Sequence, residues 1–396
     1  MKLIEFQESV WKLPKLADLE AFGRSSSHRS ILEPLLSRLG VQPLQVDDVS
    51  KVLGVTNGRV FAVRWDLTTE KVGFKQPVMS SLLLFHLWRR RTLVDPNSVL
   101  IDGGIVNTAL ALAWLAARLE MQAETVITRH FPDDIRDYVL NHAHGRLRLL
   151  QAPALCLGRE REFYSYLVKL MRNQTRRQTH LCLWHAKYSG LAMRWMGEAF
   201  AESWGEKPDE IVLGIGSGSC LSGYAIPLKL RFGSKTRIIV AEHAQSRLLH
   251  DKPLIADLPR NSAQVARSIG FRKPSNSLPH MVLGTHYDEI NPLLPQADSA
   301  QIDGIACYSD TAWQEISQQC REAGMLIGNS SAANLAVSKH LAQQGRTVFT
   351  FIYEPLRSFY IQEPSVNDTH LGNVKSGRVF CADRPKLNGS KASFER

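Results

Sequence analysis

The stretch GIGSGSCLSGY, residues Gly214 to Tyr224, decides how the rest of the chain is interpreted. It follows the apolar run from Ile211 to Leu213 and precedes a segment, Ala225 to Phe232, that can begin a helix. The expected order is therefore strand, glycine-rich loop and helix N-terminus, in which several backbone N–H groups can point at one anion. We expect the loop to hold a phosphate group. The other motifs must show which molecule carries it.

Length and composition are those of a globular protein with more than one domain. The chain has 396 residues, of which 44% are hydrophobic and 22% charged, and this length favours two domains. Glu5 and Glu8 interrupt the N-terminal segment where a secretion signal needs an unbroken apolar run, and no stretch is long and apolar enough for a membrane helix. We therefore expect a cytoplasmic protein without a membrane partner.

The net charge of +10 raises the question of an acidic partner. The positive residues are dispersed, apart from a lysine-bearing tail and two arginine-rich stretches, so nucleic acid is an unlikely partner. One of these stretches, Arg89 to Arg91, ends an apolar helix that Pro77 opens, where cations complement the helix dipole; a binding patch is the alternative. The six cysteines include no CxxC pair, and no metal site is predicted.

Strands and helices alternate as in parallel α/β proteins. Strands are expected at 60–63, 99–101, 211–213, 237–242, 305–308 and 348–353, with a further strand beginning at Val126. We predict two doubly wound parallel-sheet domains, an N-terminal domain at 36–180 and a C-terminal domain at 181–370. The extension at 1–35 is expected to pack on the body or on a partner subunit, and the tail at 371–396 is polar.

Four motifs follow one another along the chain: VRWDLTTEKVGFKQP (63–77), DGGIVNTALALA (102–113), GIGSGSCLSG (214–223) and GMLIGNSSAANLA (324–336). In this order they resemble the fold type II pyridoxal-phosphate enzymes, the group of cysteine synthase, cystathionine β-synthase and the serine/threonine dehydratases. The resemblance extends over roughly residues 42–365. It implies a tryptophan synthase β-like fold, pyridoxal 5'-phosphate as cofactor and a homodimer.

The resemblance also assigns a role to each motif. It makes Lys75 the Schiff-base lysine, Asn107 the contact of the ring hydroxyl and Ser330 the contact of the pyridine nitrogen. The phosphate cradle comprises Gly214, Gly216, Ser217, Gly218 and Ser219. Asn107 and Ser330 have a simpler alternative as helix N-caps, Ser330 for a helix that begins at Ala332. His185 is expected to be structural or solvated, and nothing around Cys220 marks it as a nucleophile.

A serine opposite the ring nitrogen bears on the reaction type, because it leaves the cofactor a milder electron sink than a carboxylate would. Departure of a β-leaving group is then favoured over transamination. We predict a lyase or transferase that performs β-replacement on a serine- or cysteine-like amino acid, through an aminoacrylate and with an incoming small nucleophile. Lys75 is the natural base for the Cα proton. Two alternatives stay open: β-elimination of the dehydratase or desulfhydrase type, and a protein that binds the cofactor or an amino acid but acts through a partner.

The chain departs from the cysteine synthase pattern ahead of Asn107. Where those proteins carry Thr-Ser-Gly, this chain has Gly104-Ile105-Val106, so the hydroxyls that would bind a substrate carboxylate are missing. Backbone N–H groups in this loop could still bind it. The predicted substrate-binding residues are Gly103, Gly104, Ile105 and Val106, and the substrate either sits differently or is not a simple serine derivative.

Overall fold

The computed structural model of the protein describes residues 2–15, 21–22, 29–68, 72–104, 106–128, 133–152, 160–244, 248–249, 251–258, 282 and 291–356. Within these residues the strands are β1 (Val46–Asp48), β2 (Arg59–Arg64), β3 (Val99–Gly103), β4 (Gln122–Thr128), β5 (Leu147–Ala152), β6 (His180–Cys182), β7 (Glu210–Leu213), β8 (Arg237–His243), β9 (Leu254–Asp257), β10 (Gly304–Tyr308) and β11 (Thr347–Ile352). The predicted tail at 371–396 lies outside the described residues.

The strands form two sheets. The larger has the order β1-β2-β11-β7-β8-β10-β9 and the smaller the order β5-β4-β3-β6. Every pair is parallel except β1 with β2, which is antiparallel. The interior strands consist mostly of consecutive apolar residues, because helices cover both faces of such sheets. The prediction of a two-part parallel α/β fold is confirmed.

The described helices are α1 (Leu3–Trp11), α2 (Arg29–Arg38), α3 (Lys75–Arg90), α4 (Val106–Arg118), α5 (Asp133–Asn141), α6 (Glu160–Met171), α7 (Gln174–Thr179), α8 (His185–Ser203), α9 (Ile226–Phe232), α10 (Gln296–Ser299), α11 (Asp310–Glu322) and α12 (Asn329–Ala342). In the part of the chain that the structure describes, none of them has the length and apolar character needed to cross a membrane.

Strand pairing shows how the chain is divided between the two sheets. Strands β1 and β2 lie in the segment assigned to the N-terminal domain, yet β2 pairs with β11 in the larger sheet. The smaller sheet contains only strands from residues 99–182. The first two strands therefore belong to the larger sheet, the next four to the smaller one, and the remaining strands to the larger sheet again. The order of strands along the sequence does not predict this path.

Helix α3 follows β2 and makes the first crossing between the sheets. Pro77 lies in its first turn, and its side chains from Gln76 to Trp88 are buried. It ends at Arg90, and Arg91 after it takes the left-handed conformation with φ of 50°. The helix thus begins at Lys75, two residues before the Pro77 that the sequence indicates, and ends within the predicted arginine run.

Helix α1 packs on α3 of the same chain. Gln7 is fully buried and exchanges two hydrogen bonds with the backbone of Val94, at 3.0 and 2.8 Å. The Trp11 indole N–H donates to Leu87 O at 3.0 Å, and Arg91 donates to the backbone carbonyls of Trp11 and Leu13. The N-terminal extension was expected to pack either on the body of the protein or on a partner subunit, and this helix packs on the body.

Candidate active site

The glycine-serine loop lies at the carboxyl end of β7, in the middle of the larger sheet. Gly218 has φ of +84°, and a Cβ built there would lie 2.6 Å from Leu294 Cδ1, so glycine is required. The Ser217 and Ser219 hydroxyls lie 2.7 Å apart, and Ser219 donates to Ser189 Oγ at 2.6 Å. A five-residue π-helical turn, Leu221–Ala225, precedes α9, so the helix after the loop opens with a wider turn than predicted.

Several hydrogen-bond donors of this loop are available to a ligand. Among the described residues, the backbone N–H groups of Gly216, Ser217 and Gly218 have no acceptor. The buried Ser222 hydroxyl likewise has no partner there. Buried donors of this kind are normally satisfied, and an anion such as a phosphate is the ligand that matches them.

Lys75 is the first residue of α3, and its side chain contacts the loop. Its Nζ lies 3.5 Å from Ser217 Oγ and 2.6 Å from His185 Nε2. His185 and Ser217, which are 110 and 142 positions from Lys75 in the chain, thus both contact its amine. An amine beside an anion-binding loop is the arrangement that a phosphorylated aldehyde requires.

His185 is the residue whose place the sequence did not show. It begins α8, is 5% exposed, and its backbone N–H donates to Asp102 Oδ2 at 2.8 Å. Burial, and then the charge of Lys75, hold the pKa of His185 well below its ordinary value. The imidazole is therefore neutral, and its Nε2 accepts a hydrogen bond from the Lys75 ammonium. The prediction of a structural or solvated histidine missed this contact, which no local pattern indicates.

Asn107 lies inside α4, one residue after its start at Val106, so it is not the N-cap. Its amide Nδ2 donates to Glu354 Oε2. Glu354 is 5% exposed, and its backbone carbonyl accepts from the Gly328 N–H at 2.9 Å. Glu354 therefore links the asparagine motif to the serine motif. The proposed contact of Asn107 with a ring hydroxyl stays a prediction.

Tyr353, which follows β11, joins the remaining motifs. Its backbone carbonyl accepts from Phe74 N at 2.7 Å, next to Lys75, and its backbone N–H donates to Ser331 Oγ at 2.9 Å. Its hydroxyl donates to Gly214 O at 3.3 Å, at the start of the phosphate loop. The pair Tyr353-Glu354 thus contacts all four motifs, although the sequence indicated only a strand there.

Ser330 is buried in the first turn of α12, at 5% exposure. The helix begins at Asn329, with Gly328 as its N-cap, and not at Ala332 as the capping alternative requires. Ser330 therefore does not cap this helix. Its proposed contact with a pyridine nitrogen stays a prediction.

The predicted substrate loop is only partly described, since Ile105 lies outside the described residues. Gly103 N–H donates to Asp102 Oδ1 at 2.7 Å, and Gly104 N–H donates to Val126 O at 3.1 Å. These two N–H groups are therefore used within the fold, and the assignment of Gly103 and Gly104 to substrate binding stays a prediction. Any backbone donor for a substrate carboxylate would have to come from residue 105 onward.

Cys220 is buried in the loop, and burial raises the pKa of its thiol well above the ordinary value. A thiol in this state is not a nucleophile. This agrees with the sequence analysis, in which no neighbouring residue assigned it that role.

Two mainly parallel sheets, with a lysine amine beside a serine-glycine loop, are the features expected of an enzyme that uses a phosphorylated carbonyl cofactor. The family model described as pyridoxal-phosphate dependent enzyme matches residues 38–351. The chain belongs to this family, and pyridoxal phosphate is its cofactor. The resemblance drawn from the four motifs is confirmed.

Solved structures with the same fold include the O-acetylserine dependent cystathionine beta-synthase from Helicobacter pylori, with 17% identity and a TM-score of 0.61 over 83% of this chain and 96% of that one. A hydrogen sulfide-producing enzyme from Fusobacterium nucleatum has 16% identity and a TM-score of 0.59 over 81% and 97%. The O-acetylserine sulfhydrylase isoform 3 from Entamoeba histolytica has 14% identity and a TM-score of 0.59 over 81% and 88%. A comparison with curated protein sequences finds no significant match.

Proposed function

We propose that the protein catalyses pyridoxal-phosphate dependent β-replacement on a serine- or cysteine-like amino acid. The observation that carries the proposal is the position of Lys75 Nζ, between His185 Nε2 at 2.6 Å and Ser217 Oγ of the phosphate loop at 3.5 Å. When bound, the cofactor supplies the electron sink for chemistry at the Cα and Cβ atoms of the substrate.

The residues present fit the cofactor. Lys75 would supply the amine, and Asn107 would contact the ring. Ser330 would face the ring nitrogen from the first turn of α12. The phosphate would be held by the cradle residues Gly214, Gly216, Ser217, Gly218 and Ser219. The unpaired N–H groups at 216–218 support this assignment, since a dianion satisfies them where the described residues do not.

Lys75 and His185 would handle the proton at the substrate Cα. Lys75 Nζ takes the proton in its free-amine form, and the neutral imidazole of His185 accepts a hydrogen bond from the resulting ammonium. The carboxylate of Asp102 holds the backbone of His185 in place through the bond to its N–H. This arrangement keeps the amine directed into the site.

The neutral hydroxyl of Ser330 favours loss of a β-leaving group, and the names of similar structures point the same way. Two of them refer to O-acetylserine and two to O-ureido-L-serine, both of which are serine derivatives substituted at the oxygen on Cβ. The segment Gly103 to Val106, with Ile105 within it, would select the amino acid. Its lack of hydroxyl side chains is the reason to expect a substrate other than the simplest serine derivatives.

β-Elimination is the second candidate function, because the names of two similar structures refer to hydrogen sulfide production. The two reactions share the loss of the leaving group and differ in the fate of the remaining carbon skeleton. Elimination releases a keto acid such as pyruvate, whereas replacement joins an incoming nucleophile to Cβ.

A substrate panel separates the two functions. The cofactor-loaded protein is incubated with O-acetylserine, O-phosphoserine, serine or cysteine, with and without sulfide or an amine, and both pyruvate and new amino acids are measured. We expect a new amino acid to form when a nucleophile is present, with pyruvate falling correspondingly. Pyruvate released at the same rate with and without a nucleophile would assign the protein to elimination.

A homodimer and a cytoplasmic location belong to the same proposal. The dimer rests on the resemblance to the family. Light scattering on the purified protein tests the first, with a molar mass near twice the 44.5 kDa of the chain as the expected result. Fractionation of cells tests the second.

A further inference from the structure

A cavity of about 400 Å³ lies between the last turns of α3 and the first turn of α8, and no residue of the phosphate loop lines it. Its volume is within the range of small-molecule sites. It is lined by His86, Arg89, Arg90, Tyr164, Trp184 and Tyr188. None of these residues has a role in the proposed handling of the cofactor or substrate.

Two arginines, Arg89 and Arg90, place positive charge at the cavity. In the part of the chain that the structure describes, no carboxylate forms an ion pair with Arg89 or Arg90. His86 adds no charge, because burial lowers its pKa to about 3 and its Nε2–H donates to Leu183 O at 2.6 Å. The charges of both arginines act in the same direction on that pKa.

Aromatic rings supply flat walls and one hydroxyl donor. The rings of Tyr164 and Trp184 lie 5.3 Å apart between centroids. Arg89 lies 5.4 Å from the ring centroid of Tyr188 and donates from Nη1 to the Tyr188 hydroxyl at 3.1 Å. Since that oxygen accepts from Arg89, its own hydrogen is available for a ligand.

The helix dipole accounts for part of the arginine run but not for this arrangement. Arg91 has a structural role, since it donates to the backbone carbonyls of Trp11 and Leu13. Arg89 and Arg90 lie in the last turn of α3, where the dipole favours cations. The dipole gives no reason, however, for both guanidinium groups to line a cavity with three aromatic side chains.

We propose that this cavity binds a small phosphate monoester with a planar ring. Two guanidinium groups and a hydroxyl offer more donors than the two oxygens of a carboxylate need, and they match the three oxygens and the charge of a phosphate monoester. The planar ring would pack against Trp184 and Tyr164. The site lies beside the candidate active site, because Trp184 directly precedes His185 in the chain.

Calorimetric titration of the cofactor-loaded protein tests the proposal. The probes are phenyl phosphate and inorganic phosphate, and loading with cofactor keeps both out of the phosphate loop. We expect phenyl phosphate to bind more tightly than inorganic phosphate, and Arg89→Gln and Arg90→Gln each to weaken it by about tenfold or more. The matched control is Arg231→Gln, which removes the charge of an exposed arginine near the end of α9.

Three results would overturn the proposal: no binding of phenyl phosphate, equal binding of the two probes, or equal weakening by the control. The variants Arg89→Lys and Arg90→Lys keep the charge but lose the planar guanidinium group, so they should bind phenyl phosphate more weakly than the wild type and more tightly than the glutamine variants. They provide the test if the glutamine variants fold poorly. Because binding is measured rather than turnover, the outcome does not depend on whether the protein performs β-replacement.

Discussion

At the residue scale, the contact between Lys75 and His185 is the most informative one in the site. The lysine amine and a buried neutral imidazole are 2.6 Å apart, and the imidazole is held through its backbone by Asp102. A hydrogen bond from a charged donor inside a protein stabilises by about 1.5–3 kcal/mol. His185 therefore fixes where the lysine amine points before the cofactor arrives.

Replacing His185 should weaken the binding of the cofactor. His185→Phe removes the acceptor for Lys75, and we expect the affinity for pyridoxal phosphate to fall by about tenfold or more, whereas His185→Gln retains an acceptor and should lose less. The measurement is a titration of the absorbance band near about 410 nm that the cofactor gives when joined to a lysine. His340→Phe, at the far end of α12, is the control. If His185→Phe binds pyridoxal phosphate with wild-type affinity, His185 does not contribute to cofactor binding.

At the scale of elements, the strands were predictable because each is a short apolar run followed by glycine or a polar residue. β2, β7, β8, β10 and β11 lie within one residue of their predicted positions, and β3 starts as predicted and ends two residues later. β4 begins at Gln122, four residues before the predicted Val126, because Glu124 is buried in the strand through its pairing with Arg176 at 2.9 Å. A charged residue inside a strand gives no apolar signal.

The cofactor and phosphate loop were predictable for the same local reason, since glycines and serines follow an apolar strand. His185 and the pair Tyr353-Glu354 were not. Their contacts with the site join residues more than a hundred positions apart, such as Lys75 with His185 and Asn107 with Glu354. Contacts of this range depend on how the two sheets are arranged, which the order of elements alone does not determine.

The conformation of the phosphate loop predicts that it does not tolerate a side chain at residue 218. Gly218→Ala would place a Cβ 2.6 Å from Leu294 Cδ1 in a backbone with φ of +84°. We expect the half-saturating concentration of pyridoxal phosphate to rise by about tenfold or more, because the substitution introduces about 1–3 kcal/mol of backbone strain into the residues that bind the phosphate. Gly205→Ala, which meets nothing within 4 Å, should leave it unchanged. Equal effects of the two variants would contradict the assigned role of the loop.

Helix α1 is expected to stabilise the folded chain through Gln7. Gln7→Ala leaves the N–H and C=O of Val94 without their partners, so the free energy of unfolding should fall by about 1–3 kcal/mol. Glu8→Ala changes an exposed side chain of the same helix and should have little effect. Urea denaturation measures both. If Gln7→Ala is as stable as the wild type, α1 does not dock on α3 in solution.

At the scale of the whole molecule, the site forms where the chain passes between the two sheets. Lys75 lies on the crossing from β2 of the larger sheet to β3 of the smaller, and His185 on the return from β6 to β7. The two crossings meet at the Lys75–His185 contact, and the phosphate loop follows directly after the second. The division of the chain between two sheets thus produces the site.

Two buried neutral histidines make the stability of the whole molecule depend on pH. Burial lowers the pKa of His86 to about 3 and that of His185 well below its ordinary value, whereas in the unfolded chain both titrate near about 6.5. Below that pH the unfolded state binds protons that the folded state does not. The stabilisation is therefore complete above about pH 6.5 and is lost as the pH falls, by up to about 1.4 kcal/mol per pH unit for each histidine.

The variant His86→Gln isolates one of these contributions, because glutamine can still donate to Leu183 O but does not titrate. Urea unfolding at about pH 7 and about pH 5 measures the effect. We expect the loss of stability between the two pH values to be smaller in the variant by about 1.4 kcal/mol or more. An identical loss in the variant and the wild type would show that His86 is not buried in its neutral form.

The assignment of Lys75 as the residue that holds the cofactor is tested most directly by chemical trapping. Borohydride reduction of the cofactor-loaded protein fixes pyridoxal phosphate to the lysine that carries it, and peptide mass spectrometry then identifies that lysine. We expect the label on the peptide that contains Lys75, its loss in Lys75→Ala, and its retention in Lys207→Ala, which changes an exposed lysine. Labelling of a different lysine, or undiminished labelling of Lys75→Ala, would contradict the proposed site.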